Sequence, residues 1–240
     1  MSQYYSYESE LSQQNYRTFY LKTYGKMALG LLLTAAVAFF CYIDLITNWE
    51  HSFVFGIVTG FSPMIIAIVQ IGLAMFMGTM LQRLSPMAVH LCFIIYCALT
   101  GVTLSTLPLA FGVGTVFTAV LFTAVLFINL LIIGMTTKVD ITRFRGILIA
   151  GLWTLIFMSL FSFFIRGSFF ATIYDYLGVF IFMGLTAYDA QALKRFYVMG
   201  SSDRRYISNF ATMAAFELYL DFINLFLRIL SIFARSQNDN

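Results

Sequence analysis

Long apolar runs alternate with short polar segments along this chain of 240 residues. A helix needs about 20 mostly apolar residues to cross a bilayer, and seven runs come close to that length. The predicted spans are 27–43, 62–81, 86–107, 112–135, 146–165, 173–189 and 207–234. Because the connections between them are short, we predict an all-α integral membrane protein with seven transmembrane helices.

Composition supports a membrane location. Hydrophobic residues make up 60% of the chain and charged residues only 10%, and the mean hydropathy is +0.86. Soluble domains carry roughly 25% charged residues, so this chain has too few to cover a soluble surface. We predict a polar cytoplasmic segment over 1–26, one seven-helix membrane domain over 27–235 and a short polar tail over 236–240. The first residues lack an apolar run after a basic start, so no cleavable signal peptide is expected.

Basic residues predict the orientation. If the N-terminus lies inside, eleven of the 14 Lys and Arg residues fall in inside segments. Those eleven are Arg17, Lys22, Lys26, Arg83, Lys138, Arg143, Arg145, Lys194, Arg195, Arg204 and Arg205. Such a bias follows the positive-inside rule, so we expect a cytoplasmic N-terminus and an outside C-terminus. The net charge of +3 is small, and nucleic acid is not an expected partner.

Acidic residues inside apolar runs are the main candidates for function. Asp189 lies in GVFIFMGLTAYDAQ, and Asp221 lies in ATMAAFELYLDFINLFLRIL. An ionised group in hydrocarbon costs at least a few kcal/mol, so a membrane protein rarely keeps one without a use for it. On the last predicted helix, Glu217, Asp221, Asn224 and Arg228 follow one another at intervals of four, three and four residues. This spacing places them on one helix face.

The polar face of the last helix has two interpretations. In the first, Glu217 pairs with Arg228 and the face only holds helices together; we favour this structural role for Asn224. In the second, Asp221 meets Asp189, because their helices are consecutive and antiparallel and both carboxylates lie in the inner part of the membrane. Two carboxylates in contact cannot both ionise cheaply, so they should share a proton and titrate near neutral pH. Deprotonation favours opening or capture of a cation, and hard oxygen ligands suit calcium.

Several stretches resemble the bacterial branch of the transmembrane Bax inhibitor motif family. They are ALTGVTLSTL, MTTKVDITRF, GLTAYDAQALK and ELYLDFINLFLRIL, and the resemblance extends over nearly the whole chain. It implies seven helices, with the last one central and surrounded by the other six. It also implies a pH-sensitive calcium leak channel of the bacterial inner membrane, in which Asp189 and Asp221 form the pH sensor and candidate calcium ligands. Eukaryotic relatives protect against cell death, and some bacterial relatives modulate a membrane protease.

The resemblance also raises the question of which arginine closes the channel. Some members carry an arginine near the inner end of the second helix, where it pairs with the aspartate of the sixth. The nearest candidate here is Arg83, and Arg228 on the last helix is the alternative. Glu217 could add a third carboxylate to the site or be neutralised by Arg228.

Two other functions compete with the channel. Intramembrane aspartyl proteases also place two aspartates on consecutive helices, but they carry GxGD where this chain reads LYLD. Without those glycines a substrate backbone could not approach closely, so no enzyme activity is expected. A non-transporting regulator that binds a membrane protease or another membrane protein stays open. No cofactor is expected, and Cys41, Cys92 and Cys97 lack metal-ligand spacing.

Overall fold

The computed structural model describes residues 2–48, 51–60, 62–80, 83–161, 167–200 and 204–238. All regular structure in these ranges is helical, which confirms the predicted all-α class. The helices are α1 (Ser2–Thr47), α2 (Phe53–Val58), α3 (Ser62–Met80), α4 (Pro86–Leu104), α5 (Leu107–Phe111), α6 (Val113–Thr136), α7 (Arg145–Phe161), α8 (Ser168–Gly200) and α9 (Arg204–Asn238). A short 3-10 helix, Ile141–Phe144, precedes α7.

Within the described residues, six segments are long and apolar enough to cross a membrane. They are Tyr16–Thr47, Ser62–Thr79, Pro86–Phe111, Val113–Thr136, Ile141–Phe161 and Ser168–Leu193. They match the first six predicted spans, although residues 162–166 of the fifth lie outside the described part of the chain. The predicted count of seven spans is not confirmed, because α9 is not among the six. Charged residues along its length make α9 the most polar of the long helices.

Turn residues decide where several of these helices begin. The Ser85 hydroxyl accepts a hydrogen bond of 3.2 Å from the Ala88 amide, and Pro86 occupies the first turn of α4. Proline suits that position because its fixed backbone angle is helical and its missing N–H would be unpaired there anyway. Gly112 separates α5 from α6 with a φ of 81°. Only glycine adopts such an angle without strain, so the sharp bend before α6 depends on this residue.

Large apolar side chains cover much of the surface. Met75 on α3 is 64% exposed, Phe122 on α6 is 53% exposed and Phe180 on α8 is 69% exposed. A soluble protein rarely exposes apolar surface so extensively, whereas lipid tails solvate it well. The exposed apolar residues therefore support a multi-pass membrane protein that contacts the lipid bilayer.

The chain divides into two compact units, and the first contains Met1–Thr106 and Leu193–Tyr219. Close packing of α1 against α4 depends on Gly101, where an added Cβ would lie 2.7 Å from the carbonyl oxygen of Thr34. The Thr34 hydroxyl donates to the carbonyl oxygen of Cys97 at 3.0 Å and shares a hydrogen bond of 2.8 Å with the Tyr219 hydroxyl. These bonds connect α1, α4 and the first half of α9.

The second unit contains Leu107–Ala192 and Leu220–Asn240. Its helices α6 and α7 both pack closely on α8, at Gly134 and Gly184 respectively. A Cβ added to Gly184 would lie 2.5 Å from Cδ2 of Leu148 on α7. The second half of α9 meets α6 through the rings of Phe222 and Phe127, whose centroids are 5.3 Å apart. Both predicted aspartates belong to this unit.

Candidate functional site

The structure brings Asp189 on α8 and Asp221 on α9 into contact. Their side chains lie within hydrogen-bonding reach of each other. Asp221 is only 6% exposed, and Asp189 is partly buried. An ionised carboxylate only accepts hydrogen bonds, so a bond between two carboxyl groups requires a proton on one of them. The contact therefore gives this pair a place for one shared proton.

Small residues around Asp189 let α6 approach α8 closely. Ala187 and Ala190 lie on either side of the aspartate in the sequence, and both face Gly134 of α6. A Cβ added to Gly134 would lie 2.5 Å from the Ala187 carbonyl oxygen and 2.8 Å from the Ala190 Cβ. In membranes, small residues at a helix interface allow this kind of backbone approach. The position of Asp189 is thus tied to the α6–α8 contact.

Gln191, two residues after Asp189, forms two hydrogen bonds that link α8 to the loop between α6 and α7. Its side-chain oxygen accepts a hydrogen bond of 2.8 Å from the Ile141 amide. Its side-chain nitrogen donates one of 2.9 Å to the Val139 carbonyl oxygen. Sequence reasoning assigned no role to Gln191, although the loop it holds is the stretch MTTKVDITRF. The two bonds help to fix the end of α8 that carries Asp189.

A second polar cluster lies on α8 and α9 at a distance from the aspartate pair. Asp175, which is only 4% exposed, is at its centre. One oxygen of Asp175 accepts a hydrogen bond of 3.2 Å from Arg228, and the other accepts one of 2.6 Å from Ser231. Arg235 also forms an ion pair with Asp175. We call these four residues, Asp175, Arg228, Ser231 and Arg235, the Asp175 cluster.

Sequence reasoning missed Asp175, although its spacing held a signal. Asp175 precedes Asp189 by fourteen residues, and Arg235 follows Asp221 by the same number. Fourteen residues are about four helical turns. Asp175 therefore lies on the same face of α8 as Asp189, and Arg235 lies on the same face of α9 as Asp221. Once Asp189 and Asp221 are paired on antiparallel helices, the same register places Asp175 opposite Arg235.

The interpretation that Glu217 pairs with Arg228 is wrong. Arg228 forms its ion pair with Asp175, and it also donates a hydrogen bond of 2.8 Å to the Tyr174 hydroxyl. The reason is distance along the helix. Glu217 and Arg228 are eleven residues apart on α9, or about 16 Å at 1.5 Å per residue, whereas Asp175 on α8 lies within 3.2 Å of the Arg228 guanidinium.

The remaining predicted site residues lie in different places. Asn224 donates a hydrogen bond of 2.8 Å to the Leu220 carbonyl oxygen within α9, and its role in holding helices together stays a prediction. Glu217 lies in the half of α9 that belongs to the first unit. Arg83 is exposed in the turn between α3 and α4, also in the first unit. The proposed arginine latch at Arg83 stays a prediction.

The described residues contain no group of three or more His, Cys, Asp or Glu side chains that could hold a metal ion. Asp189 and Asp221 are two carboxylates, whereas a resident calcium ion takes 6–8 oxygen ligands. Two carboxylates alone fall short of that number of ligands. Its role as a calcium ligand stays a prediction.

Comparison with known proteins finds similarity along nearly the whole chain. Residues 16–239 match the family described as inhibitor of apoptosis-promoting Bax1. An uncharacterized protein of Borreliella burgdorferi is 35% identical over 221 residues, which cover 92% of this chain and 93% of that protein. The inner membrane protein YbhL of Escherichia coli K12 is 35% identical over 227 residues, which cover 90% of this chain and 91% of that protein. An uncharacterized protein of Deinococcus radiodurans is 33% identical over 216 residues, 90% of each chain.

Proposed function

This chain belongs to the family described as inhibitor of apoptosis-promoting Bax1, and from that premise we propose that it is a pH-sensitive calcium leak channel. The proposed location is a bacterial inner membrane, with the N-terminus in the cytoplasm and the C-terminus outside. The observation that carries the proposal is the contact between Asp189 and Asp221 on two helices of a membrane protein. Membership in the family agrees with the resemblance in the sequence, and the name of the relative YbhL supports an inner-membrane location.

The shared proton is the proposed pH sensor. While one carboxyl group of the pair keeps its proton, the hydrogen bond between them joins α8 to α9. When that proton leaves, two negative charges are in contact, and a buried pair cannot hold both cheaply. The helices then separate or a cation enters between the carboxylates. In either case the proton occupancy of the pair controls the passage of cations.

Calcium is the proposed ion because of the ligand chemistry. Carboxylate oxygens are hard ligands, which calcium prefers, and a flexible site with water molecules satisfies its loose coordination geometry. Two carboxylates also match the charge of one divalent cation. The channel would therefore carry calcium as its cargo and hold no resident metal.

Flux measurements on the purified protein in liposomes test the proposal. With a calcium indicator inside the vesicles, we expect the leak to differ between about pH 6 and pH 8, the range in which the proposed sensor gains and loses its shared proton. Asp221→Asn should remove most of this difference. Asp140→Asn is the matched control, because Asp140 lies in a loop with its side chain 49% exposed, and asparagine keeps the oxygen that accepts from the Thr142 amide.

The outcome separates a channel from a regulator. A regulator that binds a membrane protease should pass no calcium when it is the only protein in the vesicle. A wild-type leak that does not change across the pH range would contradict the role of the aspartate pair. A rise of the leak with pH would indicate separation of the helices, and a fall would indicate capture of the cation.

A further inference from the structure

The Asp175 cluster provides a prepared position for Arg228 on the surface of α8. The guanidinium carbon of Arg228 lies 4.0 Å from the centre of the Tyr174 ring, and one guanidinium nitrogen donates to the Tyr174 hydroxyl. The stem of the side chain runs over Gly178, where an added Cβ would lie 2.9 Å from the Arg228 Cδ. Aromatic faces attract guanidinium groups, so ring, hydroxyl, carboxylate and glycine together hold one arginine in one place.

The Asp175 cluster carries a net positive charge, which repels cations. Asp175 contributes one negative charge, whereas Arg228 and Arg235 contribute two positive charges. Three donors on α9 already point at the two oxygens of Asp175, so little of the carboxylate's capacity to coordinate a metal ion is left. Charges interact far more strongly in a medium of low dielectric constant than in water. A cation approaching this closed cluster therefore meets a net positive charge.

The cluster and the aspartate pair hold the same two helices at two levels. Asp175 and Asp189 are fourteen residues apart on α8, which is about 21 Å at 1.5 Å per residue. Arg228, Ser231 and Arg235 are spaced by three and four residues, so they present one face of α9 to α8. A change that opens the helices at the aspartate pair alone would leave them joined at the Asp175 cluster.

We propose that the Asp175 cluster is a second closure of the channel, a charge lock that joins α8 to α9 and bars cations until its ion pairs break. This inference rests on the proposed calcium leak, because a lock of this kind is needed only where ions pass. Asp175 then has a second role, because its carboxylate becomes a cation ligand once the arginines move away. Asp175, Arg228 and Arg235 are thereby assigned to the selectivity and closure of the pathway.

Two variants break the lock in different ways. Arg228→Gln removes one positive charge but leaves Asp175 paired with Arg235, so the buried carboxylate keeps a partner and folding should be kept. Gly178→Ala changes no charge, but its Cβ displaces the Arg228 stem from its position. Arg143→Gln is the matched control, because Arg143 forms an ion pair of 3.4 Å with Asp140 while its side chain is 82% exposed.

The first measurement is the calcium leak of each variant in liposomes. We expect Arg228→Gln and Gly178→Ala each to raise the leak by about tenfold, the change that corresponds to about 1.4 kcal/mol. Arg143→Gln should leak like the wild type. Leaks of both lock variants equal to the wild-type leak, in vesicles where the wild type conducts, would overturn the lock.

The second measurement does not depend on conduction. Spin labels at Phe169 on α8, which is 79% exposed, and at the exposed Ser236 on α9 report the separation of the two helix ends by double electron–electron resonance. The three native cysteines are first replaced. A longer label distance in both lock variants supports the lock, and an unchanged distance overturns it even if the leak rises. If the wild type and both variants pass no calcium, the proposed channel function fails, and the label distances still decide whether the cluster joins the helices.

Discussion

Gly134 offers a direct test of how the closely packed helices around Asp189 determine stability. In Gly134→Ala, the new Cβ would lie 2.5 Å from the backbone oxygen of Ala187, whereas ordinary contact begins at about 3.4 Å. Backbone atoms cannot rotate away, so α6 and α8 must separate by up to about 0.9 Å at this point. Overpacking of this kind costs about 1–3 kcal/mol. We expect a lower midpoint of thermal unfolding in detergent and, because α8 carries Asp189, a shifted pH dependence of the calcium leak.

The same helix supplies the control for Gly134→Ala. Gly114 on α6 has no atom within 4 Å of an added Cβ, so Gly114→Ala adds the same methyl group in open space. Because alanine favours the helix more than glycine does, Gly114→Ala should leave the unfolding midpoint unchanged or raise it slightly. An unfolding midpoint for Gly134→Ala equal to that of Gly114→Ala would refute the close approach of α6 and α8. A lowered midpoint without any change in the pH profile would refute the link to Asp189.

Two further predictions concern the aspartate pair and the core of the first unit. Asp189→Asn and Asp221→Asn should each alter the pH dependence of the leak. The double variant should add little beyond the larger single effect, because coupled groups act as a unit. Additive changes would mean that the two residues act separately. Tyr219→Phe removes the buried hydrogen bond of 2.8 Å to Thr34 and should lower the free energy of unfolding by about 1 kcal/mol. Tyr176→Phe, at a residue 51% exposed, should have almost no effect, and equal unfolding midpoints for the two variants would argue against that bond.

The aspartate pair could be anticipated from the sequence because both of its parts are local signals. A carboxylate inside an apolar run is visible without any structure, and its depth follows from counting residues along a helix. Consecutive helices joined by a short connection are antiparallel neighbours in most membrane bundles. These three facts are enough to predict that Asp189 and Asp221 meet.

Asp175 and the partner of Arg228 could not be anticipated in the same way. Asp175 lies near the start of α8, where a charged residue is ordinary for a span end, so its burial is invisible in the sequence. The choice between Glu217 and Asp175 as partner of Arg228 depends on the register of two helices. A side chain on the neighbouring helix can be closer than one on the same helix, and periodicity along a single helix does not report that distance.

The amino-acid sequence by itself determined the class of this protein and the order of its helices. Apolar run lengths, turn residues such as Pro86 and Gly112, and charge-free stretches act locally, so each predicts its element without knowledge of the others. Only the tertiary structure decided which partner Arg228 meets: its guanidinium pairs with Asp175, and its stem lies over Gly178. Such contacts depend on the register and spacing of helices far apart in the chain, and these are set by side-chain packing across interfaces.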